Sequence, residues 1–142
     1  MAITQAVANS FKTEVLTGTH NFTATTGNSF KISLYTNSAT LSKSTTAYTS
    51  SNEVSGTGYT ATGNTLTSVT PTLSSDTAVC DFADTSWTSA TITARGALIY
   101  NDTQSDKAVV VLDFGGDKTS TAGTFTIQFP AADASNAILR LA

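Results

Sequence analysis

The chain has one cysteine, Cys80, and one histidine, His20. A single thiol excludes an intramolecular disulfide and a cysteine-rich zinc site. One histidine leaves little for hydrolytic catalysis, which needs a nucleophile, a base and an orienting group. Charge is also scarce. Asp, Glu, Lys and Arg make up 12% of the residues, about half the usual share of roughly 25%. The balance is slightly acidic, with a net charge of -3. A general nucleic-acid binder needs a basic surface, so that class is excluded. No apolar run approaches the ~18 residues of a membrane-spanning helix. The opening MAITQAVANSFKTEVL has no basic start and no continuous apolar stretch. No secretory signal is therefore expected, and synthesis in a host cytosol is.

Thr and Ser fill the space, roughly a third of the 142 residues. Thr suits a pleated, half-buried surface, so the composition points to β structure. Leu, Ile, Val and Phe total only 30 residues, near the level at which chains stay disordered, but the high net charge that favours disorder is missing. The length fits one domain over 1–142.

The N-terminal stretch reads as a helix or arm within 1–18. Ile3, Val7, Phe11 and Val15 recur every fourth residue, which predicts a helix over 3–17, and Gly18 follows as a C-terminal cap. Beyond it the period falls to two. Phe30, Ile32 and Leu34 alternate with Lys31, Ser33 and Tyr35, a half-buried strand. Ala78, Cys80 and Phe82 mark another. The run 90–100 reads as a long strand in which Gly96 marks a bulge or a bend. The run 108–114 (AVVVLDF) is apolar on both faces, as a covered central strand would be. Phe125, Ile127 and Phe129 define a further strand closed by Pro130, and 137–141 a last one. Weaker strands fall at 57–61 and 65–70. Turns are expected at 101–106 and at Gly115, Gly116 and Asp117.

Seven or eight short strands with little helix predict an all-β fold, an antiparallel β-sandwich of jelly-roll type with a short N-terminal helix. Its core is expected to hold Phe30, Ile32, Leu34, Phe82, Ile92, Leu98, Val110, Leu112, Phe125, Ile127 and Phe129. The stretch 36–65 is a long Ser/Thr-rich excursion, half of it hydroxyl residues. It holds Tyr48 and Tyr59, a residue type enriched at interfaces. With the short apolar stripe of Ile3, Val7, Phe11 and Val15, these residues are the candidate partner contacts, ordered by another subunit.

Motifs for chemistry are weak. Asp113, Phe114 and Gly115 spell a kinase triplet, but the rest of the kinase set is missing. Asp113 with Asp117, and Asp102 with Asp106, flank turns without EF-hand spacing. Gly56, Thr57 and Gly58 open no helix, so they form no phosphate loop. Trp87 reads as a packing residue with its indole N–H satisfied, the alternative being a sugar platform. His20 reads as a hydrogen-bonded structural residue. Two glycosylation sequons, at Asn21 and Asn101, read as chance. No catalytic residue, no cofactor and no metal is expected.

Several strings together carry a resemblance: FKTEVLTGTHNFT (11–23), FKISLYT (30–36), TAYTSSNEVSGTGYTATGNTLT (46–67), DFADTSWTSATITARGALIYN (81–101), KAVVVLDFGGDKTSTAGTFTIQFP (107–130) and NAILRLA (136–142). Over nearly its full length the chain resembles a set of small tailed-phage proteins called capsid decoration or cement proteins. In size and β content it is also similar to jelly-roll cement proteins. The resemblance implies a non-enzymatic virion protein on the outer capsid surface that binds the major capsid protein as a homo-oligomer, dimer or trimer. A tail-tube, head-fibre or tail-fibre domain, or a carbohydrate-binding sandwich, is the alternative within the virion. No nucleic acid and no membrane is expected as partner.

Overall fold

The computed structural model describes residues 2–142. Two antiparallel sheets and one short helix account for its regular structure. The strands are β1 (Ala6–Val7), β2 (Phe30–Tyr35), β3 (Asn64–Thr65), β4 (Ser68–Ser74), β5 (Thr77–Phe82), β6 (Thr85–Asn101), β7 (Lys107–Ile127) and β8 (Leu139–Leu141), and the helix α1 is Asn9–Leu16. The larger sheet has the order β1-β7-β6-β2-β3 and the smaller one β4-β5-β8. The sheets are built from local pairs: β4 with β5, and β6 with β7 through a short 3-10 turn at Asp102–Gln104. The expected turn at 101–106 is this one, with the Asn101 side chain accepting from the Gln104 amide.

The helix is shorter than its sequence period suggests. A four-residue repeat places side chains on one face of a helix and equally on one face of a strand. Residues 2–8 take the extended alternative because the chain offers backbone partners there. Ala6 and Val7 pair with Val111 and Val110, Thr4 N–H donates to Leu41 at 2.9 Å, and Ala8 N–H donates to Val109 at 2.9 Å. At the other end Gly18 does cap the helix. It sits at φ +76°, and the Thr19 and Gly18 amides return to the carbonyls of Glu14 and Val15, a Schellman closure.

Nine of the eleven expected core residues are buried, while Leu112 and Phe129 are only partly so. Strand β2 differs from its half-buried expectation: Ser33 and Tyr35 are buried along with Phe30, Ile32 and Leu34. The excursion 36–65 covers that second face. The expected bulge at Gly96 is present, since the β6–β7 register slips between Ala94 and Gly96. The expected glycine turn at 115–117 is not a turn. Gly96 pairs with Asp113 and Ala94 with Lys118, so 114–117 swell out as extra residues within one continuous strand. The ribbon also coils strongly. Phe114 and Phe125 approach to 6.4 Å between ring centroids, where a straight strand would hold their backbones roughly 35 Å apart. No strand forms at 57–61, where Gly56, Gly58 and Gly63 all take positive φ. At Gly63 (φ +81°) any Cβ would run into the Ile32 carbonyl, so only glycine brings the excursion this close to β2.

An aromatic column joins the layers. Phe22 stacks on Phe30 at 4.3 Å and 8°. Phe82 leans on both at about 6 Å, and Phe11 meets Phe22 edge-on at 5.9 Å.

Candidate functional site: polar clusters, an apolar groove and a strand edge

His20 is the obvious place to look for chemistry. Its side chain is fully buried. Asn101 Oδ1 accepts from the Gln104 amide, which makes Nδ2 the donor toward His20 Nδ1 at 2.9 Å. The other ring nitrogen, Nε2, therefore carries the hydrogen and donates to Glu14 Oε1 at 2.9 Å. Asn101 Nδ2 also donates to Asn28 Oδ1 at 3.0 Å, and Lys107 Nζ lies 3.7 Å from Glu14 Oε2. Both imidazole nitrogens are thus engaged, Nε2 tying the segment after α1 back to the helix and Nδ1 tying it to the β6–β7 turn at Asn101. This is the hydrogen-bonded histidine expected from sequence. Asn101, one of the sequon asparagines, is itself buried.

A second cluster orders the excursion. Glu53 accepts hydrogen bonds from the Tyr48 and Tyr59 hydroxyls, each at 2.6 Å, and from the Thr62 amide at 2.8 Å. The Tyr59 oxygen accepts in turn from the Leu34 amide at 2.9 Å. Tyr35 donates to the Thr49 carbonyl at 2.7 Å and Tyr100 to the Thr62 carbonyl at 2.7 Å. Tyr48 lies against Tyr100 at 5.1 Å, and Tyr59 against Trp87 at 5.8 Å. The excursion 36–65, expected to be ordered by another subunit, has ordering contacts within its own chain. Its tyrosines point inward to one carboxylate of the same chain, and Ala39, Leu41 and Val54 are buried beneath it. The sequence showed the two tyrosines but not Glu53, because nothing in a linear reading marks which acid two hydroxyls will share.

The same holds for the N-terminal stripe. Ile3 and Phe11 are buried in the chain's own core, and Val7 and Val15 pack partly against it. Of the six candidate contacts, none projects freely into solvent.

Burial shifts several protons. Burial pushes the Cys80 thiol from 9.0 to about 11 and, as the main cause, the Tyr35 hydroxyl from 10.0 to about 12. Burial first and the Glu53 carboxylate second raise Tyr48 and Tyr59 as well. These groups are neutral when protonated, so the folded chain holds their protons more tightly than the unfolded chain does. The linked stability is whole below the unfolded values and drains away as pH rises through the folded ones. Melting temperature is therefore expected to hold level from neutral pH to about pH 9 and to fall between about pH 9 and 12. Scanning calorimetry in that window, with Cys80→Ala to remove the lower part of the slope, checks this.

The acidic pairs are occupied. Asp113 accepts from the Gly115 amide and from Arg95 Nε at 3.2 Å, in that order the causes that hold its carboxyl below the usual range. Asp117 accepts from Asn37 at 3.2 Å. Loss of hydration and the neighbouring Asp102 raise Asp106. Among the described residues no three His, Cys, Asp or Glu side chains converge on a point. Trp87 is buried against Phe125 and Tyr59 rather than offered as a platform. Its indole N–H was expected to be satisfied and finds no acceptor among the described residues.

What remains open is apolar. Paired residues on antiparallel strands share a face. The register Leu73–Ala78–Leu141 and Cys80–Leu139 therefore puts these five on the face of the smaller sheet that looks toward α1. Leu139 is buried, but the sheet overhangs the core and Leu73 and Leu141 emerge 73% and 65% exposed. Across from them Leu16 at the end of α1 is 82% exposed. Between helix and sheet lies a groove of about 510 Å³. The opposite face of this sheet is closed by the segment after Pro130, where Val79 and Ala137 are buried and Arg140 donates to the carbonyls of Ala134 and Ser135. A second cleft of about 590 Å³ runs beside β7, between Gln5, Phe114, Phe129 and Ile138. No protein-family model, curated protein or solved structure matches the chain.

Proposed function

We propose that this chain is a structural virion protein that binds the outer surface of a tailed-phage capsid and cements neighbouring major capsid subunits, without catalytic activity. The observation that carries the reading is the apolar ledge. Two of the four exposed large hydrophobics, Leu16 and Leu141, line the groove between α1 and the smaller sheet, and a third, Leu73, lies on the same face of that sheet. Exposed apolar surface concentrated in one place marks an interaction site. Apart from the Ser10 hydroxyl and the Trp87 indole N–H, the buried side-chain polar groups among the described residues are hydrogen-bonded, which suits a rigid scaffold. The resemblance of the sequence to decoration proteins points the same way. The two-sheet architecture is sufficient for this role, and a jelly-roll connection, the finer reading of the fold, is not required by it.

Burying one leucine contributes about 1.5–3 kcal/mol before the costs of association. Repetition over many equivalent sites turns a modest affinity into high occupancy. Replacing Leu16 and Leu141 by Asp is expected to leave the fold intact, since both side chains are solvated, and to lower occupancy on shells by roughly tenfold or more. Quantitative mass spectrometry of purified particles reads both quantities needed. Many copies per particle with wild type, and few with the double variant, supports the proposal. A single ring of copies, or unchanged occupancy in the variant, overturns it.

A further inference from the structure

We propose that the groove between α1 and the smaller sheet binds a single-chain aliphatic carboxylate, with the chain lying in the groove and the carboxylate at Lys12. The inference goes beyond the capsid reading. It concerns the isolated chain and holds or fails whether or not shells are decorated.

The walls decide the body of the ligand. Val15 and Leu16 of α1 face Cys80 of β5 and Leu139 and Leu141 of β8 across the groove. Its volume of about 510 Å³ falls in the range of small-molecule sites, about 300–1,000 Å³. Burial holds the Cys80 thiol protonated up to about pH 11, so it adds no charge to the wall. Backbone partners are also missing. The amides at the end of α1 are closed by the turn at Gly18, and β5 is bonded on both flanks, to β4 and to β8. Pro71, a further lining residue, has no amide to give. An extended peptide laid in the groove would bury amides and carbonyls with nothing to receive them. A hydrocarbon chain brings none.

Charge decides the head. In a chain with ten acidic and seven basic residues, the only charged residues lining the groove are Lys12 and Arg140, both cations. Arg140 is held by the carbonyls of Ala134 and Ser135 through Nη1. Lys12 is exposed on the helix, and its bond to Asn9 Oδ1 is long at 3.4 Å. The one acid of α1, Glu14, is turned to His20 and Lys107 instead. None of the ion pairs among the described residues includes Lys12. An apolar trough with an unneutralised ammonium at its lip is complementary to a hydrocarbon chain ending in an anion, and opposed to one ending in a cation.

Isothermal titration calorimetry of the full chain with decanoate, dodecanoate and tetradecanoate, each below its micelle concentration, tests this. Every buried methylene tightens binding about fourfold, so each two-carbon step is expected to lower Kd about fifteenfold until the groove is full. Cys80 is the only cysteine, and bound dodecanoate is expected to slow its labelling by N-ethylmaleimide. Dodecyltrimethylammonium has the same chain and the opposite charge, and is expected to bind about threefold or more weakly than dodecanoate. Lys12→Glu, at an exposed position, keeps the melting temperature and reverses that preference. No binding of tetradecanoate, or binding that leaves Cys80 labelling unchanged, overturns the proposal. Equal affinity of the wild type for the carboxylate and the ammonium, or a preference that survives Lys12→Glu, shows a groove that does not choose a head group and equally overturns it.

Discussion

Glu53→Ala is expected to destabilise the fold by about 4 kcal/mol. The estimate follows from three donors that would lose one acceptor, at roughly 1.5–3 kcal/mol for each hydrogen bond to a charged group, discounted for water reaching the half-buried site. Tyr48 Oη, Tyr59 Oη and the Thr62 amide are those donors. Tyr59 also holds the Leu34 amide through its oxygen, so losing its anchor loosens β2 as well as the excursion. Single hydroxyl deletions sort the parts. Tyr48→Phe is expected to cost about 1–2 kcal/mol, and Tyr59→Phe somewhat more because the Leu34 amide is left unpaired. Chemical denaturation gives all three numbers. A Glu53→Ala protein within about 1 kcal/mol of wild type would mean that 36–65 is held mainly by its backbone bonds.

Phe30→Ala is expected to cost about 3–5 kcal/mol, the range for emptying an aromatic site in a core. The ring is fully buried. It stacks on Phe22, tilts against Phe82 and faces His20 at 6.3 Å, so its removal leaves three rings from two separate segments without a common contact. Those partners cannot collapse together without moving the His20–Asn101 bond. That places the expected loss toward the upper end and is a large fraction of a small domain's stability. Denaturant titration checks it. Phe125→Ala at a peripheral site near Phe114 and Trp87 is the comparison that should be milder.

Strands with strict alternation or a continuous apolar run were legible in the sequence. β2, β5, the inner half of β7 and the bulge at Gly96 lie where the pattern places them. The errors have local causes. A period of four cannot tell residues 3–7 in a strand from the same residues in a helix, and the choice was made by the Leu41 and Val109 carbonyls far along the chain. Gly115 and Gly116 read as a turn because glycine permits one. Pairing of both flanks with β6 carried the strand straight through instead. The excursion was recognisable as unusual, but its order comes from Glu53 meeting two tyrosines, a long-range arrangement without sequence periodicity. The open surfaces were the least visible, since Leu16 on α1 and Leu141 on β8 are far apart in sequence and reach one groove only because the helix lies across from the smaller sheet.

The long β6–β7 hairpin has a consequence for how the chain acquires its shape. Its two arms are joined by a turn already favoured by the Asn101 side chain, so closing that loop costs little chain entropy. β1 must find Val110 and Val111 across most of the chain's length. β8 must find β5 across the whole hairpin. Distant partners like these are late rewards, because the entropy of closing the loop comes before any contact offsets it. The hairpin is thus the natural nucleus. On this reasoning the termini dock on it last, so the groove between α1 and the smaller sheet, lined by Leu139 and Leu141, is completed only when β8 has found β5.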